Sequence, residues 1–292
     1  MFAFLTKLRR RRKTAPVSRP RPRRLTLEVL EDRTVPSSVV SEFPGQGVWR
    51  FRDGTGWQQL TPVDAALVAV NNRGDVAAEF QGLGVFRFRD SIGWQFLTGG
   101  NASLLDIDEN GSIAADFRGV GTFRFMDVTG WQLLSPADPV SLGIANSMVV
   151  GSFPGVGVFR FRDVTGWQFL SGATAAQVDI DSRGDLVAHF AGLGVYRFED
   201  VIGWQVLARA DPVSVAIAGD GKVVMALRNQ GVYRFQDTIG WQFLTGGNAI
   251  QVDIDSVGEV AGTFFGAGVF RFQDGIGWQL LTPAVAAEVG IA

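Results

Sequence analysis

Carboxylates and amides at alternating positions give this sequence its most recognisable metal-binding pattern. Residues 106–111 read Asp-Ile-Asp-Glu-Asn-Gly, which matches the start of a calcium loop, where alternate oxygen ligands and a glycine bend surround a hard cation. Two later Asp-Ile-Asp stretches place Arg183 and Val257 at the third ligand position. None of the three stretches is followed by a glutamate at position twelve of the loop. The pattern therefore indicates either a Ca²⁺ site, with no other cofactor, or aspartates that open type I turns. The candidate metal ligands are Asp106, Asp108 and Asn110.

Polar residues also follow each recurring Gly-Trp-Gln-x-Leu sequence, in short segments rich in glycine and proline. At Asn101 and Asn248 the segment reads Gly-Gly-Asn-Ala. A glycine pair lets the backbone come close to a ligand, and an amide offers both a donor and an acceptor to hydroxyl groups. We therefore expect these segments to form a ligand-binding face to which the two asparagines contribute most, unless the asparagines only cap turns. The six candidate ligand-binding residues are Asn101, Asn248, Thr174, Asp64, Asp138 and Asp211.

Side chains for covalent or acid–base catalysis are scarce. The chain has no cysteine, one histidine (His189) and three lysines (Lys7, Lys13 and Lys222), so neither a nucleophile–base pair nor a histidine-based metal site can be assembled. A pair of carboxylates in unequal environments is the catalytic alternative, and it would make the protein a hydrolase or lyase. The composition otherwise predicts a protein that is not an enzyme.

The elements that must position these residues follow from a unit of about 37 residues that is written seven times. A period of this size is typical of solenoids, propellers and other repeat arrays. Each unit contains the core Gly-x-Gly-Val-Phe-Arg-Phe-Arg-Asp-x-x-Gly-Trp-Gln-x-Leu with small variations. Its tryptophans are Trp57, Trp94, Trp131, Trp167, Trp204, Trp241 and Trp278.

Each unit divides into four short strands separated by tight turns, which predicts an all-β, seven-bladed β-propeller of four-stranded antiparallel blades. In the fifth repeat the strands are expected at 177–181, 185–190, 195–199 and 204–207. The segment after the fourth strand is the crossover to the next blade, and turns between the second and third strands, such as 81–84, are expected on the opposite face. Val39–Phe43 and Ala287–Ala292 align with a second and a first strand, so the two chain ends should complete one blade.

Each repeat also carries a tryptophan and an arginine at fixed positions. Aromatic faces stack on sugars, but every blade of a ring needs a large packing residue, so we expect the tryptophans to lie in the core. The arginine stems should pack between blades and pair with the recurring aspartate, rather than form a polyanion-binding ring. Glutamines such as Gln58 and Gln95 should bond buried backbone groups, and His189 has no predicted role. The arginines are Arg50, Arg87, Arg124, Arg160, Arg197, Arg234 and Arg271.

The order of inner strand, turn, second strand, Gly-Val-Tyr-Arg-Phe, turn and Gly-Trp-Gln-x-Leu is similar to that of tectonin-type propeller repeats over residues 39–292. The resemblance implies a non-enzymatic protein that binds glycans or microbial surface polymers. Here a second strand reads Val-Ala-Ala-Glu-Phe (76–80), where the family usually has an aromatic residue in mid-strand. The alternative is a purely structural surface repeat protein without a small ligand, and other surface proteins are further candidate partners.

Charge is distributed unevenly along the chain. Residues 1–24 hold ten basic and no acidic side chains, which leaves 17 basic against 29 acidic in the rest. The pattern predicts a basic, disordered leader over 1–36 and an acidic propeller over 37–292, which makes nucleic acid an unfavoured partner. Residues 27–33, Leu-Glu-Val-Leu-Glu-Asp-Arg, resemble leaders of exported and surface proteins of one bacterial phylum, which implies an extracellular or cell-surface location. The sequence has no run of 18 apolar residues and so predicts no transmembrane helix.

Overall fold

The chain is described over residues 37–292 by a computed structural model. These residues form 28 β-strands arranged as seven antiparallel sheets of four. The sheets are the blades of a ring, which confirms the predicted all-β, seven-bladed β-propeller. The predicted leader, residues 1–36, lies outside the described residues. In the range 37–292 no helix is long and apolar enough to cross a membrane.

The blades are numbered by the repeat whose tryptophan they contain, and within each blade the strands are named inner, second, third and outer. Blade 1 consists of β28 (Glu288–Ile291), β1 (Ser38–Phe43), β2 (Gly47–Arg52) and β3 (Gly56–Thr61). Blade 2 consists of β4 (Leu67–Val70), β5 (Val76–Phe80), β6 (Gly84–Arg89) and β7 (Gly93–Thr98). Blade 3 consists of β8 (Leu104–Ile107), β9 (Ile113–Phe117), β10 (Gly121–Met126) and β11 (Gly130–Ser135). Blade 4 consists of β12 (Ser141–Ala145), β13 (Met148–Phe153), β14 (Gly157–Arg162) and β15 (Gly166–Ser171).

The remaining blades have the same order. Blade 5 consists of β16 (Gln177–Ile180), β17 (Leu186–Phe190), β18 (Gly194–Glu199) and β19 (Gly203–Ala208), within one residue of the predicted bounds. Blade 6 consists of β20 (Ser214–Ile217), β21 (Val223–Leu227), β22 (Gly231–Gln236) and β23 (Gly240–Thr245). Blade 7 consists of β24 (Ala249–Ile254), β25 (Val260–Phe264), β26 (Gly268–Gln273) and β27 (Gly277–Thr282).

The ring is closed by pairing between the two ends of the described chain. In blade 1, β28 pairs antiparallel with β1, with Val39 opposite Ile291 and Glu42 opposite Glu288. The backbone N–H of Ser38 also donates to the carbonyl oxygen of Ala292 at 2.7 Å. The prediction that both chain ends complete one blade is therefore confirmed.

A glycine at the start of each third strand brings the crossover close to the turn beside it. Gly84 has a φ of +100°, and a Cβ there would lie 2.0 Å from the carbonyl oxygen of Thr98. Only a residue without a side chain fits this approach. A bulge between Val85 and Phe86 shifts the register between the third and outer strands at the same level. The crossover therefore passes directly over the start of the third strand.

The recurring tryptophans pack against the core clusters between blades, where they are partly exposed, and they connect each blade to the one before it. Trp94 packs edge-on against Phe80 and Phe88, with ring centroids 5.3 and 5.4 Å apart. Its indole Nε1 donates to the carbonyl oxygen of Leu60 in blade 1 at 3.0 Å. All seven tryptophans make the equivalent bond to a leucine carbonyl of the preceding blade.

The recurring arginines are buried between blades, but their aspartate partners are not in their own repeat. Arg50, 1% exposed, donates to Asp90 of blade 2 at 2.6 Å and to the carbonyl oxygen of Gly74 at 2.7 Å, and its guanidinium lies 5.3 Å from the Phe88 ring centroid. Arg271 of blade 7 pairs with Asp53 of blade 1 and so closes the ring. The prediction for the glutamines is wrong. In six blades the glutamine Oε1 accepts from the arginine of its own blade instead of from backbone, because both side chains project from paired strands toward the same neighbouring blade.

Candidate functional site

The inner strands surround a central channel whose wider part has a volume of about 470 Å³. Three aspartates, Asp106, Asp179 and Asp253, face this channel from blades 3, 5 and 7. The equivalent positions of the other four blades hold alanine or glycine. The channel therefore carries three carboxyl groups in alternate blades.

Each channel aspartate connects two blades through backbone hydrogen bonds. The Oδ1 atom of Asp106 accepts from the N–H of Ile107 at 2.8 Å, and its Oδ2 accepts from Ile144 of blade 4 at 2.8 Å. Asp179 and Asp253 make the same pairs of bonds, to blades 6 and 1. Burial raises the pKa of Asp179 to about 6 and that of Asp253 to about 7, and it holds the pKa of Asp106 well above its usual range. The negative charge of Asp179 raises the pKa of Asp106 and of Asp253 further.

The predicted calcium ligands are occupied by backbone donors. Asp108 accepts from the N–H groups of Asn110 and Ser112 through Oδ1 and from that of Ser147 through Oδ2, at 2.7–2.9 Å. Asp106 is bonded in a separate direction, to Ile107 and Ile144. Over residues 37–292 no group of three or more histidine, aspartate or glutamate side chains is arranged to hold a metal ion. The geometry assigns Asp108 to a turn that also binds the next blade.

All six predicted ligand-binding residues lie on one face of the ring, which we call the crossover face, and each bonds to a turn. Asn101 Oδ1 accepts from the N–H of Gly82 at 3.0 Å, and Asn248 Oδ1 accepts from that of Asn229 at 3.2 Å. The other four make equivalent bonds. The turns between second and third strands are therefore on the same face as the crossovers, and the expectation that they lie opposite is wrong. Successive strands of an antiparallel blade reverse direction, so the end of an outer strand and the end of a second strand meet on the same side.

Two aromatic crevices open on the crossover face, one in blade 3 and one in blade 7. The blade 3 crevice has a volume of about 460 Å³ and is walled by Phe117, Phe123 and Trp131. The blade 7 crevice has a volume of about 190 Å³ and is walled by Phe264, Phe270 and Trp278. In both, the crossover lines one side through glycine and asparagine, namely Gly100 with Asn101 and Gly247 with Asn248. The two Gly-Gly-Asn segments thus each lie beside an aromatic wall.

The second glycine of each segment makes room for the aromatic wall. A Cβ on Gly100 would lie 2.9 Å from two ring carbons of Phe117, and a Cβ on Gly247 would lie 2.9 Å from the Phe264 ring. In the other five crossovers this position holds valine or alanine. Because the Oδ1 atoms of Asn101 and Asn248 are bonded to turns, the Nδ2 donors are the free parts of both amides.

Sequence reasoning missed these crevices. The tryptophans were expected to be core residues, but Trp131 and Trp278 also reach the crevices. The signal lay in the combination of a glycine in the crossover with a phenylalanine at the end of the next second strand, about 17 residues later in both cases. Thr174, in the crossover that follows blade 4, comes after Ala173 and accepts from the N–H of Gly155 at 3.0 Å.

Acidic side chains on the second strands have unequal environments but little access to solvent. Burial, followed by the charges of Asp64 and Glu288, raises the pKa of Glu42 to about 7. Burial likewise raises the pKa of Asp116. Glu42 is 3% exposed and Asp116 is 1% exposed, so neither carboxyl presents itself to a substrate. His189, in the equivalent position of blade 5, lies 3.1 Å from Asp211 through Nε2.

Solved structures with similar folds come from proteins of different kinds. AztD of Citrobacter koseri superposes with a TM-score of 0.63 at 7% identity, over 88% of this chain and 98% of that one. Virginiamycin B lyase of Staphylococcus aureus gives a TM-score of 0.55 at 12% identity, over 73% of this chain and 82% of that one. The Cps50 (Swd1) β-propeller domain of Myceliophteria thermophila gives 0.54 at 11% identity, over 81% and 95%.

At these identities the likeness shows the propeller fold alone. No family model matches the sequence, and no curated protein matches it. The resemblance to tectonin-type repeats therefore stays a prediction. The fold alone assigns no role, since the proteins that share it include one named as a lyase.

Proposed function

We propose that this protein is a non-enzymatic binding module of the cell surface or extracellular space that recognises glycans or surface polymers through its crossover face. The observation that carries the proposal is the pair of aromatic crevices in blades 3 and 7, each beside a crossover asparagine. Aromatic rings that are partly exposed in a concave site, as Phe123 and Trp131 are, offer a flat apolar surface to a sugar ring, and a free amide N–H offers a donor to its hydroxyl oxygens.

The polar groups elsewhere support binding over catalysis. The channel aspartates each hold two backbone N–H groups, and the second-strand carboxyls are buried within the sheets. The single histidine is bonded to an exposed aspartate, and within residues 37–292 no serine or threonine hydroxyl is bonded to its ring. A general acid or base must reach its substrate, whereas the channel aspartates are bonded to backbone and the second-strand carboxyls are buried.

Affinity measurements on two pairs of substitutions test the proposal. A glycan array first returns a saccharide for the full-length protein, and calorimetry then compares Asn101→Ala plus Asn248→Ala with Asp64→Ala plus Asp138→Ala. We expect the asparagine pair to lower the affinity of each crevice by about fivefold, because each asparagine lies in a crevice and a lost hydrogen bond costs about 1 kcal/mol, whereas the aspartate pair should have little effect. Asp64 and Asp138 cap equivalent turns and line neither crevice, so they control for loss of the cap, and the comparison uses a neutral saccharide because Asp138 bonds to the turn that borders the blade 3 crevice.

Substituting Gly100→Ala plus Gly247→Ala gives an independent check, because the added methyl groups would push Phe117 and Phe264 into the crevices without removing a polar group. Binding should be lost while the melting temperature stays within a few degrees. Equal affinities for the two double variants of the calorimetry experiment would contradict the assignment of the crevices. An array that returns no saccharide would favour a purely structural surface protein.

A further inference from the structure

The two crevices share their walls but differ at one rim position. The residue that follows the wall phenylalanine is Arg118 in blade 3 and Phe265 in blade 7. Both lie in the turn between the second and third strands, and Phe265 is 76% exposed. One crevice therefore has a cationic rim and the other an apolar rim.

Arg118 is available for a ligand. It is exposed, and it forms no hydrogen bond or ion pair with another residue in the described part of the chain, unlike the seven buried arginines of the ring. Burial raises the pKa of Asp116 and the positive charge of Arg118 opposes that rise, but Arg118 does not form an ion pair with Asp116. The carboxyl group of Asp116 is buried, and its Oδ2 atom accepts from the Ser103 hydroxyl at 2.5 Å. The guanidinium group thus keeps its donors free at the edge of a cavity of about 460 Å³.

We propose that the blade 3 crevice binds a saccharide carrying a single carboxylate or sulfate group, which Arg118 holds, whereas the blade 7 crevice binds a neutral saccharide. The proposal rests on the function proposed above and assigns a ligand class to each of its two sites. The sugar ring lies against Phe117, Phe123 and Trp131, and the acidic group meets Arg118 and the free amide donor of Asn101. Planar guanidinium donors match the geometry of such oxyanions.

Neighbouring charge limits the ligand to one acidic group. Asp138 bonds to the N–H of Gly119, in the same turn as Arg118, and supplies an opposing charge. The rest of the chain, residues 25–292, carries 17 basic against 29 acidic side chains. A densely charged polyanion would be repelled by this surface, while one carboxylate or sulfate at the Arg118 rim is compensated locally.

Arg228 provides a matched control. It occupies the same turn position in blade 6, it is exposed, and it too forms no ion pair within the described residues. Blade 6 has Leu227 in place of the wall phenylalanine and Ala210 in place of the crossover glycine. Arg118→Ala and Arg228→Ala therefore remove the same charge from the same face, but only the first removes it from a crevice.

The experiment uses the full-length protein on an array of matched glycans, in which each uronic acid or sulfated saccharide has a neutral counterpart with the same linkage. Arg118→Ala should lower affinity for the acidic member at least about fivefold to tenfold and leave the neutral member within about twofold, since an exposed charge-assisted bond is lost. Arg228→Ala should change neither. The carboxylate and sulfate arms show which oxyanion the site prefers. Every variant keeps the ten basic residues between positions 7 and 24, so the affinities are compared between variants and not taken as absolute values.

Three results would overturn the inference in distinguishable ways. If both arginine variants weaken acidic binding equally, the effect is general electrostatics and Arg118 has no special role. If only neutral saccharides bind and Gly100→Ala plus Gly247→Ala abolishes that binding, the proposed function stands but the acidic specificity fails. If no saccharide binds at all, the proposed function fails together with this inference.

Discussion

Aspartates at different positions of the repeat carry out different structural roles. Asp90 and its equivalents accept from the buried arginine of the preceding blade, Asp108 caps a turn, and Asp106 connects two inner strands. The chemistry of the side chain is the same in each case, but its surroundings differ. The pKa of Asp253 is raised by burial, whereas hydrogen bonds from Arg50 and Arg52 outweigh burial and lower the pKa of Asp90. The acidic residues therefore respond to pH in two separate ranges.

Stability should be highest in mildly acidic solution. In the folded state the pKa of Asp179 is about 6 and that of Asp253 is about 7, whereas an unfolded aspartate has a pKa near 4. Between these values the folded state binds more protons than the unfolded state. The free energy of unfolding therefore falls as pH rises from about 4 to about 7. Asp90 and Asp127 have lowered pKa values, so their contribution is lost only as pH falls below about 4. We expect a loss of roughly 1–3 kcal/mol between pH 5 and pH 8.

Thermal melts between pH 3 and pH 8 check this expectation against the Asp179→Asn plus Asp253→Asn variant. The variant should show a shallower decline of melting temperature between pH 5 and pH 8, whatever its absolute stability, because two of the titrating groups are gone. Parallel curves for the two proteins would show that the channel carboxyls do not set the pH dependence.

Each blade packs extensively against its neighbours. Apolar clusters include residues of two successive blades, such as Val150 and Val158 of blade 4 with Val178 and Leu186 of blade 5. Each boundary between two blades contains the arginine of one blade together with the aspartate and the tryptophan of the next. A four-stranded sheet of this sequence would leave these groups unpaired, so the blades are stable only in the ring.

Truncating a tryptophan should therefore destabilise the whole ring. Trp167→Ala removes edge-on contacts with Phe153 and Phe161 and the hydrogen bond to Leu134 of blade 3, and we expect it to cost about 3–5 kcal/mol, as for other large core truncations. Urea denaturation provides the measurement. Trp167 is not part of either crevice, so saccharide binding at low temperature should be retained by the folded fraction. Loss of binding with an unchanged unfolding midpoint would instead show that Trp167 contacts the ligand.

At the scale of the whole molecule, closure of the ring determines whether the seven blades behave as one unit. Deleting Ala287–Ala292 removes β28, which pairs with β1 and packs against β24 and β4, so the melting temperature should fall by more than 10 °C or folding should fail. Deleting residues 1–36 is the matched control, since β1 begins at Ser38 and every described strand is retained. Similar melting curves for the two truncations would show that closure by β28 contributes little.

The architecture of this protein is predictable from its repeats. A period of 37 residues and four alternating stretches in each period specify seven blades, and the alignment of the two end fragments with the repeat specifies their closure. The core position of Trp167 and the interblade position of Arg50 also follow from repetition, since a residue present in every copy has a structural role.

Which side chains contact each other depends on how the blades pack in the tertiary structure. Arg50 pairs with Asp90, 40 positions away, and Asn101 bonds to Gly82 because crossovers and second-strand turns share a face. The crevice in blade 3 requires Gly100 of one crossover to lie against Phe117 of the next blade, and their spacing in the sequence does not by itself show that the two residues touch. Such contacts depend on how consecutive blades are placed around the ring, and that geometry is set by the packing of whole sheets rather than by local sequence.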